Sequence, residues 1–379
     1  MNNLFPILFL VVCLSCSNDK QVASKGQLDH ISVKEAFDRK EKVMLSEVAD
    51  AIEYIPLETN ENCLVGNNTI VDINNDYLIV VSFRQIFLFD RKSGDFIREI
   101  GGYGKGPEEY MATIHQPYRK ERKIITARQS GAILEYNLDG SVNRTVKSPY
   151  ELLSSLHTEL STDTYASYMP NVMGDTPELL LLFDAGGNKL KVIPNTNFYE
   201  KEGKFFSFHG REAEFYKYDG TNYFKEIWND TLFSVANDTL LPHYVFNSGA
   251  LAINFAIRGQ KDAFTMMKDL LRIHNIFESS DHLFFSITYQ QREFAGFHNK
   301  KKSETRVCNF DEVGNNGFVD DIMGISHLVP HGISAENELY GLITPDSLQL
   351  AELKKGEPYS NGRQISPESN PVVVIAKLK

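Results

Sequence analysis

Apolar residues in this chain rarely recur at the three- and four-residue spacing of a helix. They come in short runs such as TIVDINN at 69–75, YLIVVSF at 77–83, IFLFD at 86–90, KIITA at 123–127 and LFFSITY at 283–289. The runs are rich in β-branched and aromatic residues, and Gly, Asn and Asp separate them. That pattern predicts short strands joined by tight turns, as in an all-β sandwich, barrel or propeller. One segment departs from it. DAFTMMKDLLRIHNIF, starting at Asp262, places Phe264, Met267, Leu270 or Leu271 and His274 at helical spacing. It predicts an amphipathic helical insert near 260–277, capped by Asp262.

A repeat decides among the β architectures. IFLFDRKSGDFIREI at 86–100 reads as strand, Ser-Gly turn, strand; AILEYNLDGSVNRTV at 132–146 and LLLLFDAGGNKLKVI at 179–193 follow the same plan. An aromatic followed by Asp or Asn falls at Phe89-Asp90, Tyr136-Asn137 and Phe183-Asp184, at intervals of 47 residues. Four-stranded propeller blades recur every 40–50 or so residues. The aromatic would face inward, and the Asp or Asn would open the hairpin. Allowing for the helical insert, the chain from about residue 45 onward has room for six such blades. The expected fold is therefore an all-β, six-bladed β-propeller of four-stranded antiparallel blades. The apolar terminal run NPVVVIAKL at 370–378 should pair with N-terminal sequence and close the ring.

Between two of these units lies GGYGKGPEEY, 101–110. Its glycines fit neither GxxxxGK[ST] nor GxGxxG, and Pro117 interrupts the segment beyond it, so no helix N-terminus is set up to receive a phosphate. Placed after the outgoing strand FIREI, the loop reads as a blade-to-blade corner in which glycine permits positive φ and Pro107 fixes the bend.

The N-terminus adds an address. Leu4 to Leu14 is an apolar run too short to span a bilayer, and it ends in Cys13-Leu14-Ser15-Cys16, which resembles a lipobox. The expectation is a signal peptide over 1–16, acylation of Cys16, a polar tether over 17–40 and a propeller over 41–379. The absence of Lys or Arg in MNN is unusual for a signal. Positions 1–16 hold no charge, so the mature chain keeps 50 acidic and 39 basic residues, a net charge of −11. That balance disfavours nucleic acid and anionic lipid surfaces as partners. Membrane attachment would come from the lipid alone.

IREIGGYGKGPEEY resembles the I-G-x-x-G-x-G-P-x-E-Y signature of the NHL-like six-bladed β-propeller lipoproteins of Bacteroidetes, matching at Gly101, Gly104, Gly106, Pro107, Glu109 and Tyr110. Gly102 and Glu108 depart from it. KEIWNDTLFSVANDTLLPHYVFNSG at 225–249, IEYIPLET at 52–59 and the terminal NPVVVIAKLK are similar to further stretches of that family. The resemblance implies a fold and an exported, outer-membrane-anchored location. It carries no catalytic residues.

Candidate chemistry is sparse. Glu108-Glu109 and Asp320-Asp321 are adjacent carboxylates, which point to opposite faces on a strand and read as solvated loop charges. His327 and His331 in HLVPHG, near Asp320 and Asp321, are separated by Pro330, which breaks the helix that would align them on a metal. Cys63 and Cys308 are the cysteines left after acylation, and their spacing does not say whether they pair. Lys300-Lys301-Lys302 reads as a hairpin tip. No G-x-S-x-G elbow occurs, and no metal or cofactor is expected. The function that fits is a lipid-anchored, non-enzymatic binding module for a protein or glycan. The alternative is a hydrolase or lyase acting on saccharide or peptide at the mouth of the channel.

Overall fold

The structure, a computed structural model, describes residues 28–66, 69–119, 124–150, 156–200, 212–236, 239–311, 314–345, 348 and 362–379. Six four-stranded antiparallel sheets form the blades of a propeller. Blade 1 is Ile70–Ile73, Tyr77–Ser82, Gln85–Asp90 and Phe96–Glu99; blade 2 is Ala112–Arg119, Ile124–Gln129, Ala132–Tyr136 and Val142–Lys147. Blade 3 is His157–Ser161, Thr164–Tyr168, Glu178–Asp184 and Lys189–Pro194; blade 4 is Ala213–Tyr218, Thr221–Glu226, Thr231–Ala236 and Thr239–Phe246. Blade 5 is Arg272–Glu278, His282–Tyr289, Arg292–Asn299 and Glu304–Val307. Blade 6 takes Gly332–Ile333, Glu338–Ile343 and Val372–Leu378 from the end of the chain and its outer strand, Ala49–Pro56, from the beginning. Ile52 pairs with Ala376 and Tyr54 with Val374, so first and last strands close the ring.

The two-residue period of each strand packs two seams at once. In Tyr77–Ser82, Leu78 and Val80 face blade 6 while Ile79 and Val81 face blade 2. Leu180 and Leu182 of blade 3 likewise meet Phe215 and Phe224 of blade 4. Strands buried on both faces read as continuous apolar runs, which is why YLIVVSF lacks alternation.

Tyr136 ends its third strand, Phe89 and Phe183 stand one residue before the ends of theirs, and all three are fully buried. The acidic residue beside two of them organises the next turn. Asp90 Oδ1 accepts the N–H groups of Lys92 and Ser93, and Asp184 Oδ1 those of Gly186 and Asn188. Hydrogen bonds from Ser93 and from Asn188 hold the Asp90 and Asp184 carboxyls below the usual range. In the second repeat the backbone N–H of Gly140 donates to the Asn137 carbonyl.

Two boundaries differ from expectation. The helix covers only Ala263–Met266, continued by a 3-10 turn at Met267–Asp269, and the Asp262 side chain makes no capping bond. Arg272–Glu278, the second half of the helical-looking segment, is the first strand of blade 5, where Ile273 pairs with Ile287 and Phe277 with Phe284. Its apolar spacing fits either period, and strand pairing decides. The stretch read as a tether is likewise built into the fold from Asp29 onward. Asp29–Ile31 adds a parallel fifth strand to the outer edge of blade 4, and the helix Val33–Asp38 buries Val33, Ala36 and Phe37, with Phe37 against Tyr289 and Phe294. The signal and Cys16 lie outside the described residues.

Candidate functional site

A four-stranded meander returns its chain to the end from which it started. Connections between blades and between second and third strands therefore share one end of the ring, and the remaining hairpin turns share the other. The hairpin end is polar, with Asn74–Asp76, Arg91–Asp95, Asn137–Ser141, Asp184–Asn188, Ser279–Asp281 and Ser334–Asn337. Lys300–Ser303 lies there too as a hairpin tip, with Lys300 Nζ 3.0 Å from Glu278 and Lys301 Nζ 2.7 Å from Asp281. The connecting-loop end displays Leu64, Phe83, Tyr103, Met173, Phe198, Phe264 and Met266, all exposed.

They fall in two groups on opposite sides of the ring. On blade 1 the Arg84 guanidinium sits over both the Phe83 ring, at 4.9 Å, and the Tyr103 ring, at 4.4 Å. Leu64 is close by, because the N–H of Gly66 donates to the Ser82 hydroxyl, 2.8 Å away. Across the ring, the Tyr199 N–H donates to the Gly174 carbonyl, joining the loops that carry Phe198 and Met173, and Gly259, in the insert that carries Phe264 and Met266, packs against Glu200.

The glycine-rich loop closes the seam between blades 1 and 2. Glu109 Oε2 accepts the Gly106 N–H at 2.8 Å, and a Cβ on Gly104 would stand 1.9 Å from that same oxygen. Gly101 has φ +63°, and its face lies against the Tyr136 ring. Tyr136 donates to the Glu108 carbonyl at 2.9 Å, Gln129 Nε2 donates to the carbonyls of Gly106 and Glu109, and Tyr110 is buried edge-on to Tyr136. Pro107 lies exposed at the bend. Beside the loop a groove of about 550 Å³ opens, lined by Arg98, Glu99, Gly102, Pro107, Glu108 and Asp139 among others.

A second polar assembly lies inside the ring where blades 3 and 4 meet the insert. Arg258 is fully buried, 2.5 Å from Glu212 Oε2, and its guanidinium lies 4.9 Å from the Trp228 ring, 5.5 Å from Tyr199 and 5.7 Å from Phe255. The Tyr168 hydroxyl donates to Glu226 at 3.1 Å, and burial raises the tyrosine well above its ordinary range. Burial pushes Glu226 up to about 7 and Lys225 down. Lys225 Nζ donates to the carbonyls of Glu226 and Asn229, each at 3.0 Å, and Glu214 accepts the N–H groups of Asn275 and Ile276. Sequence reasoning missed this network, since its members are scattered from position 168 to 275.

Over residues 28–377 the chain matches the family model described as Domain of unknown function (DUF4934). It belongs to the DUF4934 family. A proposed exported protein of Bacteroides fragilis aligns over 92% of this DUF4934 chain and 99% of its own, at 15% identity and TM-score 0.64. A DUF4221 member from Bacteroides vulgatus aligns over 88% and 97%, at 14% identity and TM-score 0.51. At those identities the likeness speaks to the fold. No curated protein matches the chain.

The remaining sequence candidates of this DUF4934 protein do not assemble. Asp320 is buried and not solvated, as its position in a loop had suggested. It accepts the N–H groups of Ile322, Met323 and Ile325 and the Tyr54 hydroxyl, which pin the turn to blade 6. Asp321 accepts from Ser46 through both N–H and hydroxyl. His327 is 3.6 Å from Asp311, while burial pushes His331 down to about 4. Among the described residues no three His, Cys, Asp or Glu side chains converge as a metal site. Cys63 and Cys308 are both buried and free. They sit in different seams, between blades 6 and 1 and between blades 5 and 6, too far apart in the ring to pair.

Proposed function

We propose that this DUF4934 protein is an exported, lipid-anchored propeller of the cell envelope, akin to the NHL-like lipoproteins, that works without catalysis by binding a protein partner. The observation that carries this reading is the gathering of exposed Leu64, Phe83, Tyr103, Met173, Phe198, Phe264 and Met266 at the connecting-loop end, while exposed Ile97, Leu190, Val192 and Leu241 lie on outer strands. Large apolar side chains gathered on loops of a rigid scaffold mark interaction surfaces, and phenylalanine, tyrosine, methionine and arginine are the residue types enriched there. Two groups on opposite sides of the ring suit an object broad enough to reach both, as a folded protein is. The flexible thioethers of Met173 and Met266 allow that side to adapt to its partner.

Export and acylation are supported by the Cys16 lipobox and by the fold-level likeness to a proposed exported protein. The carboxylates at the start of the first strand of blade 4 suit structure better than acid-base work. Glu212 is ion-paired to Arg258, and Glu214 accepts two backbone N–H groups.

Photo-crosslinking residues placed at Phe83 and Phe264 in the acylated protein, in its native membrane, test the reading. One protein captured from both positions, and none when the residue is moved to exposed Asp76 at the hairpin end, is the expected result. Capture from the hairpin end alone would overturn it. Release of the Cys16→Ala variant from membranes is the companion expectation for the anchor.

A further inference from the structure

We infer that the groove beside the glycine-rich loop is a binding site for a neutral oligosaccharide, with Phe83 and Tyr103 as the stacking platform at its lip. This ligand is additional to the protein partner proposed above.

The groove's volume, about 550 Å³, lies within the range of small-ligand sites. Part of its floor is bare backbone: at Gly102 on one side and Gly140 on the other an added Cβ would meet nothing closer than 3.7 Å. Among the described residues its walls are Arg98, Glu99, Glu108, Glu109 and Asp139, and Pro107 is the one apolar side chain with them. An apolar ligand finds no surface there. An extended peptide would need apolar pockets for alternate side chains, and these are missing. An anion would face four carboxylates against one guanidinium, and that guanidinium already donates to the Asp139 carbonyl at 2.6 Å.

A polyol fits these walls. Its hydroxyls donate to carboxylate oxygens and accept from Arg98, using both kinds of group with no net charge to oppose. The Glu108 carboxylate is exposed at the rim, where it can take such a hydroxyl.

The platform is an independent observation. Phe83 is 76% exposed and holds φ at +51°, the left-handed region that bulky residues avoid. A glycine or asparagine would make the same turn between Ser82 and Gln85 without that strain, so the fold gains nothing from the phenylalanine. Strain of this kind points to a use for the side chain. The Arg84 guanidinium lies over both rings, 4.9 Å from Phe83 and 4.4 Å from Tyr103, and Tyr103 follows directly on the groove residue Gly102. Exposed aromatic faces beside a polar groove are the arrangement that receives the apolar C–H face of a sugar ring.

Titration calorimetry of the purified chain with neutral tetrasaccharides built from glucose, mannose, galactose or N-acetylglucosamine tests this. At least one should bind with a dissociation constant below about 1 mM. Gly102→Gln should abolish that binding, because a side chain there enters the groove and meets nothing closer than 3.9 Å. Phe83→Gly should weaken it about tenfold, which is 1.4 kcal/mol, while its melting temperature stays level or rises. Binding by no tetrasaccharide in the panel, or binding untouched by both variants, overturns the inference. Failure here alongside a captured protein partner would leave the proposed function standing, and the reverse pattern would leave only the groove.

Discussion

Between blades 1 and 2 the chain closes its seam with a loop whose glycines, proline and Glu109 lie within ten residues, helped by Gln129 and Tyr136 from the next blade. Between blades 3 and 4 the corresponding space holds Tyr168, Glu212, Glu226 and Arg258, drawn from two blades and an insert. The first seam is a local backbone device whose charge-assisted hydrogen bonds, Gly106 N–H to Glu109 and Arg98 to the Asp139 carbonyl, lie at its surface. The second takes ionisable groups out of water and depends on every partner being present. One propeller thus joins neighbouring blades in two ways, and each way should fail in its own manner.

The largest effect is expected at Arg258. Arg258→Ala leaves Glu212 buried without its ion-pair partner, a loss of about 3–5 kcal/mol. Chemical denaturation would measure it, and adding Glu212→Gln should restore much of it. If Arg258→Ala costs no more than a surface substitution, the two seams do not differ as described.

Glu226 comes next, with the opposite sign. The unfolded chain releases this proton near pH 4, whereas the folded one holds it to about 7. Its contribution to stability is therefore full below about pH 4 and is lost as pH rises through 7. Glu226→Gln should match the parent at pH 4 and exceed it at pH 8 by something on the order of 3 kcal/mol. Denaturation curves at the two pH values would show the gap opening.

Effects at the glycine seam are smaller. Gly104→Ala must displace the Glu109 carboxylate from Gly106, at about 2 kcal/mol, and the loss should largely vanish in a Glu109→Ala background. Tyr136→Phe removes only the hydrogen bond to the Glu108 carbonyl, about 1 kcal/mol. Double-mutant coupling between Gly104 and Arg258 should be absent, since they share no partner.

The same contrast explains how far the sequence could be read. The three aromatic-Asp/Asn pairs mark third strands because each does its work within a few residues, burying a ring and bonding the next turn. Blade number and ring closure followed from that spacing and from the apolar last strand. DAFTMMKDLLRIHNIF misled because its apolar residues satisfy a helix and a strand at once, and only the partner strand His282–Tyr289 chooses. Asp29–Ile31 looked like tether because a three-residue edge strand has no pattern of its own, and the edge of blade 4 defines it. The Arg258 network left no local trace. The groove could be read only in part: the glycines were conspicuous, but that Asp139 and Gly140 of the next blade form its other wall is a property of the ring.

Closing the ring with residues 49–56 against 372–378 also sets an order of events in time. A chain that emerges N-terminus first presents Ile52, Tyr54 and Ile55 hundreds of residues before their partner strand exists. Five blades can form as they are made, but the sixth waits for the last strand, and that pairing has the longest loop to close in the molecule. Until then an apolar edge stands open to any passing strand. The final seven-residue strand is thus the step on which maturation turns, and a stall before it would leave a nearly complete propeller that is prone to join another copy.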